Sequence, residues 1–160
     1  MEIKRELSEK NIEQLIEYTN NDEAVKKNTS DAKRFKDRES FENWLKKGRK
    51  IYCLVNENTD LMGISWFGPE GEGFTFGLRI YGEARGKGLG YGFLKETMDN
   101  YMKEEEYQKA LNKDIWLETS KDNIPAIKIY EKLGFKFEKD GENPEKSIYR
   151  RRPDFGFEKK

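Results

Sequence analysis

Apolar positions along this 160-residue chain switch between a period of two and a period near 3.6, and the switches divide it into strands and helices. Residues 2–7 alternate as a first strand. Ser8 then stands where it would cap a helix whose Ile12, Leu15, Ile16 and Thr19 share one face. Residues 20–38 are polar and highly charged, without a clear period, and read as a loop or a weak helix. Ser40 opens a second helix with Phe41, Trp44 and Leu45 inward, ending near Gly48. Residues 51–55 and 61–67 flank a hairpin turn, 56–60. The turn 68–73, Gly-Pro-Glu-Gly-Glu-Gly, leads into Phe74–Ile80, where Phe74, Phe76, Leu78 and Ile80 alternate with Thr75, Gly77 and Arg79.

Past a glycine-rich stretch, Tyr91, Leu94, Met98 and Tyr101 form a helical stripe, and 114–119 is the next strand. Asn123 caps a helix with Ala126, Ile127, Tyr130 and Leu133 inward and Gly134 just past its end. A last strand pair, 135–139 and 147–152, turns at Asp140-Gly141. The tail 153–160 carries Phe155 and Phe157, which either pack on a neighbour or fray. A meander of strands followed by strand, helix, strand, helix and strand indicates an α+β, or mixed α/β, fold. The length suits one domain spanning 1–160.

Composition narrows the chemistry. Charged residues make up 39% of the chain, yet Lys+Arg and Asp+Glu balance at 31 each, so nothing favours nucleic acid or an anionic membrane. The start of the chain has no apolar signal-peptide core, and no apolar run approaches the ~18 residues of a membrane span; a cytoplasmic location is expected. With no histidine, Ser-His-Asp and Cys-His chemistry are excluded and no metal site is implied, so any base is a carboxylate, a water or a tyrosinate. The single cysteine, Cys53, sits among Ile51, Tyr52, Leu54 and Val55 and reads as core.

The most informative residues are Arg85-Gly86-Lys87-Gly88-Leu89-Gly90, a basic glycine turn between a strand and a helix. Such a turn gathers unpaired backbone N–H groups and the positive end of a helix dipole where a phosphate can come close. A Walker A loop is ruled out because Gly88, not Ser or Thr, follows Lys87. The Rossmann fingerprint fails too, since Tyr91 and Phe93 stand where its third glycine is required. What remains, Arg-x-x-Gly-x-Gly after an alternating strand, resembles the GNAT superfamily of acetyl-CoA-dependent N-acetyltransferases. A second segment extends the resemblance: Trp116-Leu117-Glu118-Thr119, Asn123, Ala126, and the run from Ile129 through Tyr130 to Gly134-Phe135.

The resemblance implies a central, mostly antiparallel, splayed sheet of about seven strands with helices on both faces. It implies acetyl-CoA as co-substrate and an amine acceptor, with Arg85, Gly86, Lys87, Gly88, Leu89 and Gly90 on the pyrophosphate. Leu78, Arg79 and Ile80 would line the pantetheine arm, Asn123 would reach it from the other side, and Tyr130 would meet the coenzyme sulfur as the acid. Many members carry a glutamate ten residues before the motif arginine; this chain has Thr75 there. A branch resembling ribosomal-protein alanine N-acetyltransferases instead uses the glutamate of a Leu-Glu-x strand, twelve residues before the tyrosine, which matches Glu118 and Tyr130.

These roles answer a chemical need: an amine of pKa ~10.4 is only about 0.04% neutral at pH 7, and the departing thiolate needs a proton donor. The base is Glu118, a water or the substrate itself. Each residue also has a structural reading: Tyr130 as a core aromatic, Glu118 as a solvated strand residue, Asn123 as a cap. The acceptor stays open between a small amine and a protein N-terminus. Acidic Glu70, Glu72, Asp31 and Asp37 would favour a cationic one. A homodimer is compatible with the sequence, and so is a catalytically silent acyl-CoA-binding module.

Overall fold

The computed structural model describes residues 1–153; Phe155 and Phe157 of the tail lie outside them. Seven strands form one sheet in the order β1-β2-β3-β4-β5-β7-β6. They are β1 (Glu2–Lys4), β2 (Lys50–Val55), β3 (Leu61–Pro69), β4 (Phe74–Ile80), β5 (Ile115–Ser120), β6 (Lys136–Asp140) and β7 (Lys146–Arg151). The helices are α1 (Glu9–Asn21), α2 (Glu23–Asn28), α3 (Ala32–Phe35), α4 (Arg38–Leu45), α5 (Leu89–Tyr101), α6 (Glu105–Gln108) and α7 (Ile124–Lys132). The sheet is mostly antiparallel, with β4 and β5 parallel, which matches the expected mixed α/β class. The chain forms two compact units, Met1–Phe67 with Gly77–Thr97, and Gly68–Phe76 with Met98 onward.

In the first unit both sheet faces are covered. Ile51 and Cys53 pair with Trp66 and Ile64, so all four point to one face, and they share a core with Ile12 and Leu15 of α1, Phe35 of α3 and Phe41 and Trp44 of α4. Ser65 points to the other face, where its hydroxyl donates to Thr97 Oγ1 of α5 at 2.9 Å. Ser8 caps α1 as expected, its Oγ accepting from Asn11 N at 3.1 Å, an arrangement that contributes roughly 1 kcal/mol. The cap of α4 is Asp37 rather than Ser40. Asp37 Oδ1 accepts from Ser40 N at 2.8 Å, and its carboxylate sits at the positive end of the helix dipole, so the helix begins earlier than the sequence suggested. Leu45, expected inward, is the last residue of that helix and is exposed. The charged stretch 20–38 is neither one loop nor one helix: it holds α2 and α3, anchored by buried Val25 and Phe35. The first strand is shorter than its alternation implied, ending at Lys4.

In the second unit, α6 and α7 pack on the face of Ile115 and Leu117. Phe74 lies 5.8 Å from Tyr101 and 5.0 Å from Tyr107, and Phe76 lies 5.5 Å from Tyr130. β7 pairs with both β5 and β6, and Leu117 stands opposite Tyr149.

One position in β4 tolerates only glycine. A Cβ on Gly77 would lie 2.2 Å from the Trp66 indole, which is itself wedged edge-on against Phe35 and Trp44 and has little freedom to move aside. Gly77→Ala is therefore expected to destabilise the protein by about 1–3 kcal/mol, read as a lower urea midpoint at unchanged m. The loss should largely disappear when Trp66→Leu is added.

Candidate functional site

The glycine turn is built by backbone conformation. Tyr81 leaves β4 and a 3-10 turn, Gly82–Ala84, follows, closed by Ala84 N donating to Tyr81 O and Arg85 N donating to Gly82 O, both at 3.1 Å. Arg85 is extended, and then Gly86 and Gly88 take φ of +82° and +74°, a region other residues enter only at about 1–2 kcal/mol each. A Cβ at either glycine would meet nothing within 4 Å, so conformation rather than crowding selects glycine, and the space over the turn is open. Leu89 then begins α5, a thirteen-residue helix whose first-turn N–H groups have no acceptor within the helix. Gly86, Lys87 and Gly88 are exposed, Leu89 is half-buried and Gly90 is buried. The arrangement suits a diphosphate: fixed N–H donors, a helix dipole and a lysine at the rim.

Two arginines of the expected site are engaged elsewhere. Arg85 donates to Asp22 Oδ2 at 2.8 Å, and Asp22 caps α2 through Oδ1. Burial pushes the Asp22 carboxyl up, but the bonds from Arg85 and the α2 backbone outweigh it and leave it below the usual carboxylate range. Arg79 gives Nε and an Nη to Asp31 at 2.7 and 2.9 Å, and another Nη to the Leu78 carbonyl at 2.9 Å. Asp31 is fully buried and also takes Arg34, so it is a structural anchor and not a solvated attractor of cations. Asp37 is likewise occupied as the α4 cap. Leu78 and Ile80 stay half-buried on β4. Tyr81 stacks on Tyr18 at 4.4 Å, and burial, with Asp31 next, holds its phenol well above 10, so it is no tyrosinate base at neutral pH.

Glu118, Asn123 and Tyr130 lie in the second unit. Asn123 precedes α7 and its carbonyl accepts from Ile127 N at 3.0 Å, but its side chain makes no capping bond, so the expected cap is one of position only. Tyr130 is buried, its ring edge-on to Phe76 and, at 6.2 Å, to Phe135. Glu118 is exposed on the face of β5 it shares with Trp116, its carboxylate lying directly against Gly141. Because Phe74 pairs with Ile115, Phe76 and Leu117 share the opposite face. Tyr130 and Glu118 therefore stand on opposite sides of the sheet. Among the described residues no three carboxylate or cysteine side chains gather to hold a metal ion.

The acetyltransferase (GNAT) domain family matches residues 3–136. This chain belongs to the GNAT acetyltransferase family. Solved structures with the GNAT fold agree along nearly its whole length. A domain from Methanocaldococcus jannaschii is 19% identical with a TM-score of 0.72, covering 95% of this chain and 97% of that one. A ribosomal-protein-alanine N-acetyltransferase from Brucella melitensis is 16% identical with a TM-score of 0.72, covering 96% and 100%. A spermidine N-acetyltransferase variant from Vibrio cholerae is 15% identical, also at 0.72, covering 100% of both chains. At these identities the likeness is one of fold. No curated protein matches the chain by sequence.

Within this GNAT domain Cys53 is core, as its neighbours implied. It is fully buried, its Sγ donates to the Glu6 carbonyl at 3.3 Å, and burial pushes the thiol up to about 11. A raised pKa keeps the neutral thiol below about pH 11, where the nucleophilic thiolate is scarce. Alkylation of the native protein by iodoacetamide at pH 8 is expected to run at least ~100-fold slower than in urea-unfolded protein. Equal rates would place the thiol at the surface.

Proposed function

We propose that this GNAT domain transfers acetyl from acetyl-CoA to a primary amine by direct attack in a ternary complex. The observation that carries the reading is the open, doubly left-handed glycine turn on the N-terminus of α5, which suits the coenzyme pyrophosphate. Residues 85–90 bind it mainly through backbone N–H groups and Lys87, since the Arg85 side chain is held by Asp22. Leu78, Arg79 and Ile80 serve the pantetheine arm with backbone rather than charge, because the Arg79 guanidinium is committed to Asp31. Asn123, whose amide makes no cap, offers its side chain to the arm. Tyr130 gives the leaving thiolate its proton, and Glu118, directly or through a water, takes a proton from the acceptor ammonium and so frees the amine that attacks. The buried Cys53 forms no acyl intermediate.

Acyl-CoA binding without transfer is the competing reading, and Thr75, where many members carry a glutamate, favours it. Acetyl-CoA-dependent CoA release, screened over small amines and N-terminal peptides, separates the two.

Coenzyme binding is tested at Gly88. Gly88→Glu and Gly88→Ala carry the same backbone strain, but only the former sets a carboxylate against the pyrophosphate. Gly88→Glu should weaken acetyl-CoA by more than ~2 kcal/mol relative to Gly88→Ala, about 30-fold by calorimetry. Equal affinities would remove the cradle.

Proton transfer is tested by substitutions that keep shape. Tyr130→Phe preserves the ring packing on Phe76 and should lower turnover ~10²–10⁴-fold with little change in acetyl-CoA affinity. Glu118→Gln should slow turnover most at neutral pH and recover as rising pH supplies free amine. A Glu118→Gln pH profile like that of the wild type would leave the base to water or the substrate.

A further inference from the structure

Two guanidiniums share one carboxylate on the Trp66 side of the first unit. Asp31 gives both oxygens to Arg79, at 2.7 and 2.9 Å, and Oδ1 again to Arg34 at 3.0 Å. Arg34 and Arg79 both stand over the Trp66 ring, at 5.6 and 5.0 Å from its centroid. The cluster keeps a formal charge of +1 from Arg34, Arg79 and Asp31 together. Burial is the largest force lowering the Arg34 pKa, and the positive charges of Arg79 and Arg49 act the same way against Asp31. A partly desolvated cation among other cations gains from an added anion.

Arg34 is also the member of the cluster that faces outward. Its side chain is 34% exposed, against 18% for Arg79. Of its five N–H donors, one has a hydrogen-bond acceptor among the described residues, the Asp31 carboxylate. The indole it stands over rests on Gly77 of β4, the residue before the segment 78–80.

We propose that Arg34 is a specificity-determining residue that pairs with a carboxylate carried by the acceptor, making the acceptor an amino-acid-like amine and not a polycation. The inference rests on the acetyltransferase reading above. A guanidinium fork takes a carboxylate through two parallel N–H···O bonds, whereas a polyamine would meet like charge. The carboxylate is either that of a free amino acid or the acidic side chain of an N-terminal peptide; the chemistry at Arg34 is the same.

The test uses the full chain. CoA release is measured with the twenty free amino acids against their amides, and with tripeptides carrying Asp or Asn behind the same N-terminal residue. The same compounds are titrated calorimetrically in the presence of CoA, which reads preference without turnover. One of the two sets should favour the acid form by about 10-fold or more in kcat/KM, carried by KM, and that set identifies the source of the carboxylate. Arg34→Met should bring the ratio close to one. Arg34→Lys, which keeps the ion pair with Asp31 but loses the fork, should retain part of it and serves if Arg34→Met does not fold. A wild-type ratio near one in both sets, or one unchanged by either variant, overturns the proposal. Carboxylate preference that depends on Arg34 in the titration, without any CoA release, would instead sink the acetyltransferase reading and leave this inference standing.

Discussion

A fully buried aspartate with two arginines holds the helical side of the first unit to its sheet. Asp31 spans 48 positions to reach Arg79 on β4, and Trp66 lies under both of its arginine partners. Removing one partner from such a group strands a charge, which typically costs 3–5 kcal/mol for a fully buried pair and less here because Arg79 keeps some contact with water. The consequences run outward. The indole fits over β4 only because Gly77 has no side chain, and its edges form the wall against which Phe35 and Trp44 close the core. Helix α3, four residues long, could not persist alone; Phe35 and this ion cluster keep it in place.

That dependence explains which parts of the fold were legible in the sequence. The strand β4 and the helices α1, α5 and α7 announce themselves through local periodicity, and β2 and β3, buried on both faces, through apolar runs that flank a hairpin turn. Ser8 and Gly134 mark helix ends for equally local reasons, a side-chain acceptor in one case and φ of +93° in the other. Residues 20–38 carry no such stripe. Their two short helices are fixed by single residues, Val25 and Phe35 in the core and Asp31 on Arg79, 48 positions along the chain. The α4 cap was misread within that stretch because Asp37 and Ser40 both suit the role, and only the folded chain shows Asp37 accepting from the Ser40 amide. A sequence-level hint did exist at Arg79: a cation inside an apolar alternating strand implies a buried anion, without saying which.

The candidate site divides along the same line. The glycine turn was readable because its requirement is conformational, and Gly86 and Gly88 meet it with positive φ. Side-chain roles were less so. Arg85 was expected on the pyrophosphate and Arg79 along the pantetheine arm, yet their guanidiniums are bound to Asp22 and Asp31. Asp31 and Asp37 looked like attraction for a cationic acceptor, but one neutralises arginines and the other caps a helix. Once those acids are accounted for, the charge facing outward beside β4 is that of Arg34.

In a protein without histidine, the proposed acetyl transfer divides its two proton transfers between two different groups. A single imidazole could take a proton from the entering amine and return it to the departing sulfur; a carboxylate and a phenol, with pKa values near 4 and 10, are each suited to only one of those tasks. The two protons move at the nitrogen and the sulfur, which are both bonded to the one tetrahedral carbon. Strand alternation sends Glu118 to one face of β5, while α7 carries Tyr130 onto the other beside Phe76. In the proposed reaction the acid and the base therefore act from different sides, Tyr130 at the sulfur and Glu118 at the nitrogen directly or through a water.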